Sequence, residues 1–138
     1  MAEATTSRQR PEFRNIHVSD ISKYRLPLAG RLSILHRITG AMLFLALPVV
    51  LLPLFEKSLT SELSFEAYRE IASGPIVKLI LLVLSWGYLH HMCAGVRYLL
   101  LDLHVGIDKE SSRKSAAAVF AVSIALTVLV ALKIFGVF

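Results

Sequence analysis

Three predominantly apolar stretches, each near the length of a bilayer crossing, limit what this chain can fold into more than any other feature. A hydrocarbon core takes roughly 20 apolar residues in helical form. Ile38 to Phe55 lies between Arg37 and Glu56, Leu79 to Leu101 between Lys78 and Asp102, and Ala116 runs on to Phe138. With 55% of its 138 residues hydrophobic, the chain is more apolar than a soluble domain of this size, so lipid is the expected solvent for much of it. Inside lipid every backbone N–H and C=O must be bonded within the protein, which leaves helices or a closed barrel. A barrel needs short strands of alternating polarity, and no such alternation occurs. The spacing therefore predicts an all-α membrane protein with three transmembrane helices, at about 30–57, 75–103 and 115–138, contributing to a multi-subunit helical bundle. Residues 1–20 are expected to form a mobile cytoplasmic arm and residues 21–138 a single membrane domain.

The net charge of +5 is unevenly spread. Arg8, Arg10, Arg14, Lys23, Arg25, Arg31 and Arg37 precede the first span, whereas the first loop carries Glu56, Glu62, Glu66 and Glu70 against Lys57 and Arg69. Lys109, Arg113 and Lys114 restore positive charge in the second loop. Basic loops stay on the cytoplasmic side, so the N-terminus and second loop are predicted in the cytoplasm and the C-terminus outside. Charge here sets topology, which argues against a nucleic-acid partner. Met1 to Pro11 is polar and short, unlike a cleavable signal, and no transit segment precedes the first span. A bacterial inner membrane is the expected location. The lone Cys93 offers neither a disulfide nor a thiolate metal site and reads as a packing residue.

Between the spans, Phe55 to Ser73 is expected as a polar exterior loop with a short helix near Ser64–Ile71, and Leu103 to Ser115 as a short cytoplasmic connection. Pro27 marks a bend into the first helix, while Pro48 and Pro53 kink it without ending it.

Two polar sites interrupt the apolar pattern. In Ser33-Ile-Leu-His36-Arg37-Ile-Thr39-Gly40, Ser33, His36, Arg37 and Gly40 fall within an arc of about 100° at helical periodicity. That face can hydrogen-bond a quinone carbonyl through Ser33 and Arg37, or pair with carboxylates of a buried cofactor through His36 and Arg37. Equally, Arg37 can snorkel to phosphate headgroups while Ser33 caps the helix. The second site is His90-His91, deep in the second span, where an ionisable residue is a functional candidate by default. Gly87, His91 and Gly95 form an i, i+4, i+8 stripe that leaves clearance around the His91 imidazole, as a flat macrocycle requires. His90, flanked by Trp86 and Ala94, suits packing or hydrogen bonding. A helix contact through small residues, with His91 as polar glue, fits the same spacing. His36 is expected at the interface and His91 nearer the bilayer centre, so a second axial ligand has to come from a partner chain. Arg97 is expected to pair with Asp102, to join the Arg37 cluster, or to anchor at the interface, and Lys133 to snorkel outward.

At these residues the chain resembles the cytochrome b556 membrane-anchor subunits of succinate dehydrogenase, respiratory complex II. The carrying motifs are Ser33-x-x-His36-Arg37-x-Thr39-Gly40 and His91-x-x-x-Gly95-Val96-Arg97 continuing to Asp102, with Arg10-Pro11 and Tyr24-Arg25-Leu26-Pro27 upstream. The resemblance implies a membrane subunit of electron transport and the tricarboxylic acid cycle that binds no succinate itself. It implies haem b shared with a second small anchor subunit, His91 as this chain's axial ligand to the haem iron, and His36 and Arg37 near the haem propionates. Ser33 and Arg37 would line a ubiquinone site facing the iron–sulfur subunit, fed by electrons from the flavoprotein subunit. No flavin fingerprint and no cluster-ligating cysteine set occurs in the chain, so no residue is assigned a catalytic role towards succinate. Two other readings are a haem-free structural anchor and the anchor of a quinol:fumarate reductase.

Overall fold

The computed structural model describes residues 17–137. The Arg10-Pro11 pair and most of the expected N-terminal arm lie outside them. Every described element is helical, in the order α1 (Val18–Lys23), α2 (Leu28–Ala46), a π-helical turn (Leu47–Leu51), α3 (Leu52–Thr60), α4 (Glu62–Ser73), α5 (Pro75–Asp102) and α6 (Lys109–Ile134). Three helical stretches are long and apolar enough to cross a membrane: Leu28–Thr60, Pro75–Asp102 and Lys109–Ile134. The chain is an all-α membrane protein.

Local chemistry explains where each helix begins. Pro27, in extended conformation, sits at the N-cap of α2, where its fixed φ and missing N–H suit a helix start. Ser33 is therefore an interior residue of α2, and the capping alternative does not apply. Pro48 cannot donate to the helical ladder. The chain absorbs it in the π turn, which closes with the Leu52 N–H on the Leu47 carbonyl, and then continues as α3. The expected exterior loop is almost wholly helical instead, because Ser61 breaks α3 from α4 with a reciprocal capping box to Ser64. α6 likewise starts at Lys109, within the stretch expected as a connection. Asp108 accepts from the amides of Glu110 and Ser111, and hydrogen bonding from Ser111 holds its carboxyl below the ordinary carboxylate range. The six residues Leu103 to Asp108 make the turn, with His104 and Gly106 at positive φ.

α2 and α5 run antiparallel, His36 lying opposite Gly95, Gly40 opposite His91 and Met42 opposite Gly87. α6 returns along the other flank of α5. Leu32, Ala94, Ala116 and Val119 form the buried apolar cluster, with Leu28, Ala29, Cys93, Tyr98 and Phe120 packed around it. This core is small because the remaining apolar surface faces outward: Phe44 is 76% exposed and Val49 75%. Such a surface is stable only against lipid or other membrane helices.

Candidate functional site

The site is built where α2 crosses α5. The rings of His36 and His91 stack with centroids 4.1 Å apart and planes 10° apart. The expected difference in depth is thus corrected. α2 starts ten residues before Ile38, so His36 lies about 12 Å inside its helix and His91 about 16 Å from the end of α5 at the helical rise. The two imidazoles share one level.

His91 Nδ1 lies 3.0 Å from the His36 carbonyl oxygen. A carbonyl can only accept, so Nδ1 carries the proton and Nε2 keeps its lone pair. Thr39 flanks this bond: its hydroxyl donates to the Leu35 carbonyl at 2.8 Å and its oxygen stands 3.5 Å from His91 Nδ1. Thr39 is buried to 1% exposure. The residues of the first motif therefore set both the orientation and the tautomer of the imidazole in the second.

The glycines do something other than leave a free surface. Each admits part of α2 against α5. A Cβ at Gly40 would fall 2.8 Å from His91 Cε1, and one at Gly87 would overlap Met42 Cε, while Gly95 faces His36 Nε2 at 3.8 Å. Gly40 is the demanding position, because its neighbour is a ring held by hydrogen bonds rather than a flexible tip. Gly40→Val is expected to push the helices apart and break the bond from His91 to the His36 carbonyl. The cost is about 1–3 kcal/mol, read as a lower Tm of the solubilised protein, whereas Gly87→Ala, with only the Met42 methyl to move, costs less.

His90 occupies the opposite flank. It is fully buried between α5 and α6, its Nδ1 3.4 Å from Ser123 Oγ, and its ring 5.5 Å from Trp86 and 5.3 Å from Phe120. No cluster of three or more His, Cys, Asp or Glu side chains among the described residues could hold a metal ion. The imidazoles offer single ligands only.

Of the first motif, Ser33 is half-buried and Arg37 exposed, and neither has a hydrogen-bond partner among the described residues. His36, Thr39 and Gly40 turn into the α2–α5 seam. Arg97 departs from all three expected roles. It is buried to 5% exposure and reaches α6, Nε donating to Ser115 Oγ at 2.9 Å and Nη2 to Ser112 Oγ at 2.9 Å and to the Ser112 carbonyl at 3.2 Å. Asp102 is exposed at the end of α5. Arg97 thus ties α5 to α6 with hydroxyls and a carbonyl, not with a carboxylate. Tyr98, unremarked in the sequence, closes the His36 side: their centroids are 5.0 Å apart. Its signal was present, since His91, Gly95 and Tyr98 follow i, i+4, i+7 on one face.

This geometry can be set beside related chains. The model of the succinate dehydrogenase/fumarate reductase transmembrane subunit family matches residues 7–130. The chain belongs to that family. Among its relatives are three proteins named succinate dehydrogenase cytochrome b556 subunit. The one from Rickettsia felis is 31% identical over 109 residues, covering 79% of this chain and 84% of the relative. That of Coxiella burnetii is 32% identical over 110 residues, 80% and 88%, and that of Paracoccus denitrificans 33% over 112 residues, 81% and 85%. As a family member, the chain is a membrane subunit, and its α2–α5 seam brings His36, Thr39 and Gly40 of the first motif against His91 and Gly95 of the second.

Proposed function

We propose that the chain is the membrane-anchoring electron-transfer subunit of a succinate:ubiquinone oxidoreductase, co-binding haem b and forming part of the ubiquinone-reduction site. The observation that carries the reading is the tautomer of His91. A ligating histidine characteristically donates its other ring N–H to a backbone carbonyl or carboxylate, and the bond from Nδ1 to the His36 carbonyl leaves Nε2 as the free donor to iron. The buried Nε2 of His36, without a partner among the described residues, fits the same group as a hydrogen-bond donor to a propionate. Bound haem would supply one-electron exchange at the iron. What this chain does is hold the iron through His91, orient that imidazole through the His36 carbonyl and Thr39, and let α2 and α5 approach closely at Gly40, Gly87 and Gly95.

The relatives named succinate dehydrogenase subunits support a complex with a flavoprotein subunit and an iron–sulfur subunit. The second haem ligand comes from another small anchor subunit in this reading, because His36 lies against His91 rather than across from it and His90 is enclosed by α6. The basic N-terminal and second-loop segments support a cytoplasmic N-terminus and a periplasmic C-terminus in a bacterial inner membrane. Ser33 and Arg37, with no hydrogen-bond partner among the described residues, lie within the first ten residues of α2, on the side read as cytoplasmic. There they donate to the quinone carbonyl, and the guanidinium offsets negative charge as electrons arrive.

The test is the complex purified after co-expression with its partner chains. A b-type difference spectrum together with ubiquinone reduction is expected. An intact complex without haem would replace this reading with that of a structural anchor. Ser33→Ala and Arg37→Ala are each expected to lower ubiquinone reduction by about 10-fold or more while succinate oxidation by an artificial dye persists. Unchanged quinone turnover in both variants would remove the quinone assignment.

A further inference from the structure

Arg97 is a buried cation, 5% exposed, and it makes no ion pair to a carboxylate among the described residues. Its Nε donates to Ser115 Oγ and its Nη2 to the two oxygens of Ser112. Nη1, which carries two further N–H donors, has no partner among the described residues. The fully enclosed side-chain atoms in that condition are His36 Nε2, His90 Nε2 and the Tyr98 hydroxyl, so Nη1 keeps contact with the surface. Arg97 and Ser115 line a groove of about 370 Å³ between α5 and α6. Its walls are otherwise apolar, with Met92, Val96 and Leu100 from α5 and Ala118 and Val122 from α6, all five of them exposed. Met92, Val96 and Leu100 stand about 100–180° around α5 from His91. The groove therefore opens on the flank away from α2, outside the His36–His91 seam.

A guanidinium without a counter-ion inside a membrane helix calls for an anion. Arg97 lies five residues before Asp102, where α5 ends, or about 7–8 Å along the helix, close to the boundary at which lipid phosphates lie. We propose that the groove binds one phospholipid, its phosphate accepting from Arg97 Nη1 and one acyl chain lying along Met92, Val96 and Val122. The charges are complementary, since no acidic side chain lines the groove, and a cation in a pocket between membrane helices suits a phosphate headgroup. A small soluble anion would leave the apolar walls uncovered. Arg97 differs here from a snorkelling side chain on the surface, because α6 fixes two of its three nitrogens and the third is held in place for an oxygen. The bound lipid braces α5 against α6. No residue of the groove ligates or orients His91, so the inference stands independently of the haem reading.

The experiment uses the whole complex purified with its partner chains and stripped of lipid by prolonged detergent exchange, with native mass spectrometry and thermal denaturation as readouts. The probes are dioleoylphosphatidylglycerol, dioleoylglycerol, which has the same chains without the phosphate, and inorganic phosphate. Wild type is expected to bind the phospholipid about 10-fold or more tightly than dioleoylglycerol and to gain Tm with it, while inorganic phosphate alone gives no gain. Ala118→Trp fills the groove and leaves every bond of Arg97 in place, whereas Arg97→Met keeps the groove and removes the donors. Each variant is expected to hold one phospholipid fewer per copy of this chain and to lose most of the Tm gain. Equal affinity of wild type for the two lipids, a Tm gain from inorganic phosphate alone, or unchanged phospholipid stoichiometry in either variant would overturn the proposal. The wild-type comparison of the two lipids needs no variant, so it decides the case even where a substitution prevents assembly.

Discussion

His91→Ala is expected to abolish the b-type spectrum of the assembled complex, whereas His90→Ala is expected to keep it. The two residues are adjacent in sequence, about 100° apart around α5, and face different helices, His91 against α2 and His90 against α6. His91 lies in the α2–α5 seam with Nδ1 committed to the His36 carbonyl at 3.0 Å, so its Nε2 lone pair is available. His90 is fully enclosed between α5 and α6, its ring packed by Trp86 and Phe120, and no group of haem size can reach it without separating those helices. Its loss should instead lower stability by about 1–3 kcal/mol, through the cavity left between α5 and α6 and the lost contact to Ser123, whose hydroxyl keeps its bond to the Phe120 carbonyl. Optical difference spectra of the two variants, normalised to subunit content, decide the matter. Retention of the spectrum in His91→Ala would refute the ligand assignment.

The second large effect is expected at Arg97. Arg97→Ala removes three hydrogen bonds to Ser112 and Ser115 and leaves a void beneath Tyr98. Bonds to a charged donor contribute about 1.5–3 kcal/mol each at most, but in a membrane interior the average is nearer 0.6 kcal/mol. Lost packing of the long side chain adds to this. A total near 3 kcal/mol is expected, seen as a fall of several degrees in the Tm of the solubilised complex. Arg97→Met keeps most of the volume and removes only the polar contacts, so it should cost about half as much. An exposed headgroup anchor would show neither loss, and thermal denaturation of the two variants separates the cases.

How much of this was legible beforehand depended on which physical constraint was acting. The three spans were readable because hydrocarbon forces long apolar helices, and Asp108 could have announced α6, since an Asp followed three residues later by Ser is a recognisable cap. Depth was misjudged for His36 because the apolar run begins only at Ile38, although the helix, expected from about residue 30 and starting at Leu28, already carries eight residues before His36. Periodicity separated His91 from His90 but took the glycine stripe for clearance around the imidazole. Only the fold reveals that Met42 and His36 fill those notches. Arg97 was misread for a related reason. Its partners Ser112 and Ser115 lie across the Leu103–Asp108 turn, and nothing in their spacing announces which face of α6 returns against α5. The carbonyl of His36 is likewise invisible to any search for functional side chains, although it fixes the tautomer on which the haem reading stands.

That reading is tested most directly by a high-resolution map of the assembled complex isolated with its partner anchor subunit. The account predicts iron density joined to His91 Nε2, with His91 Nδ1 still on the His36 carbonyl and the second axial ligand arriving from the partner subunit. A macrocycle ligated by another residue of this chain, or a fully occupied complex with no macrocycle against the α2–α5 seam, would contradict it.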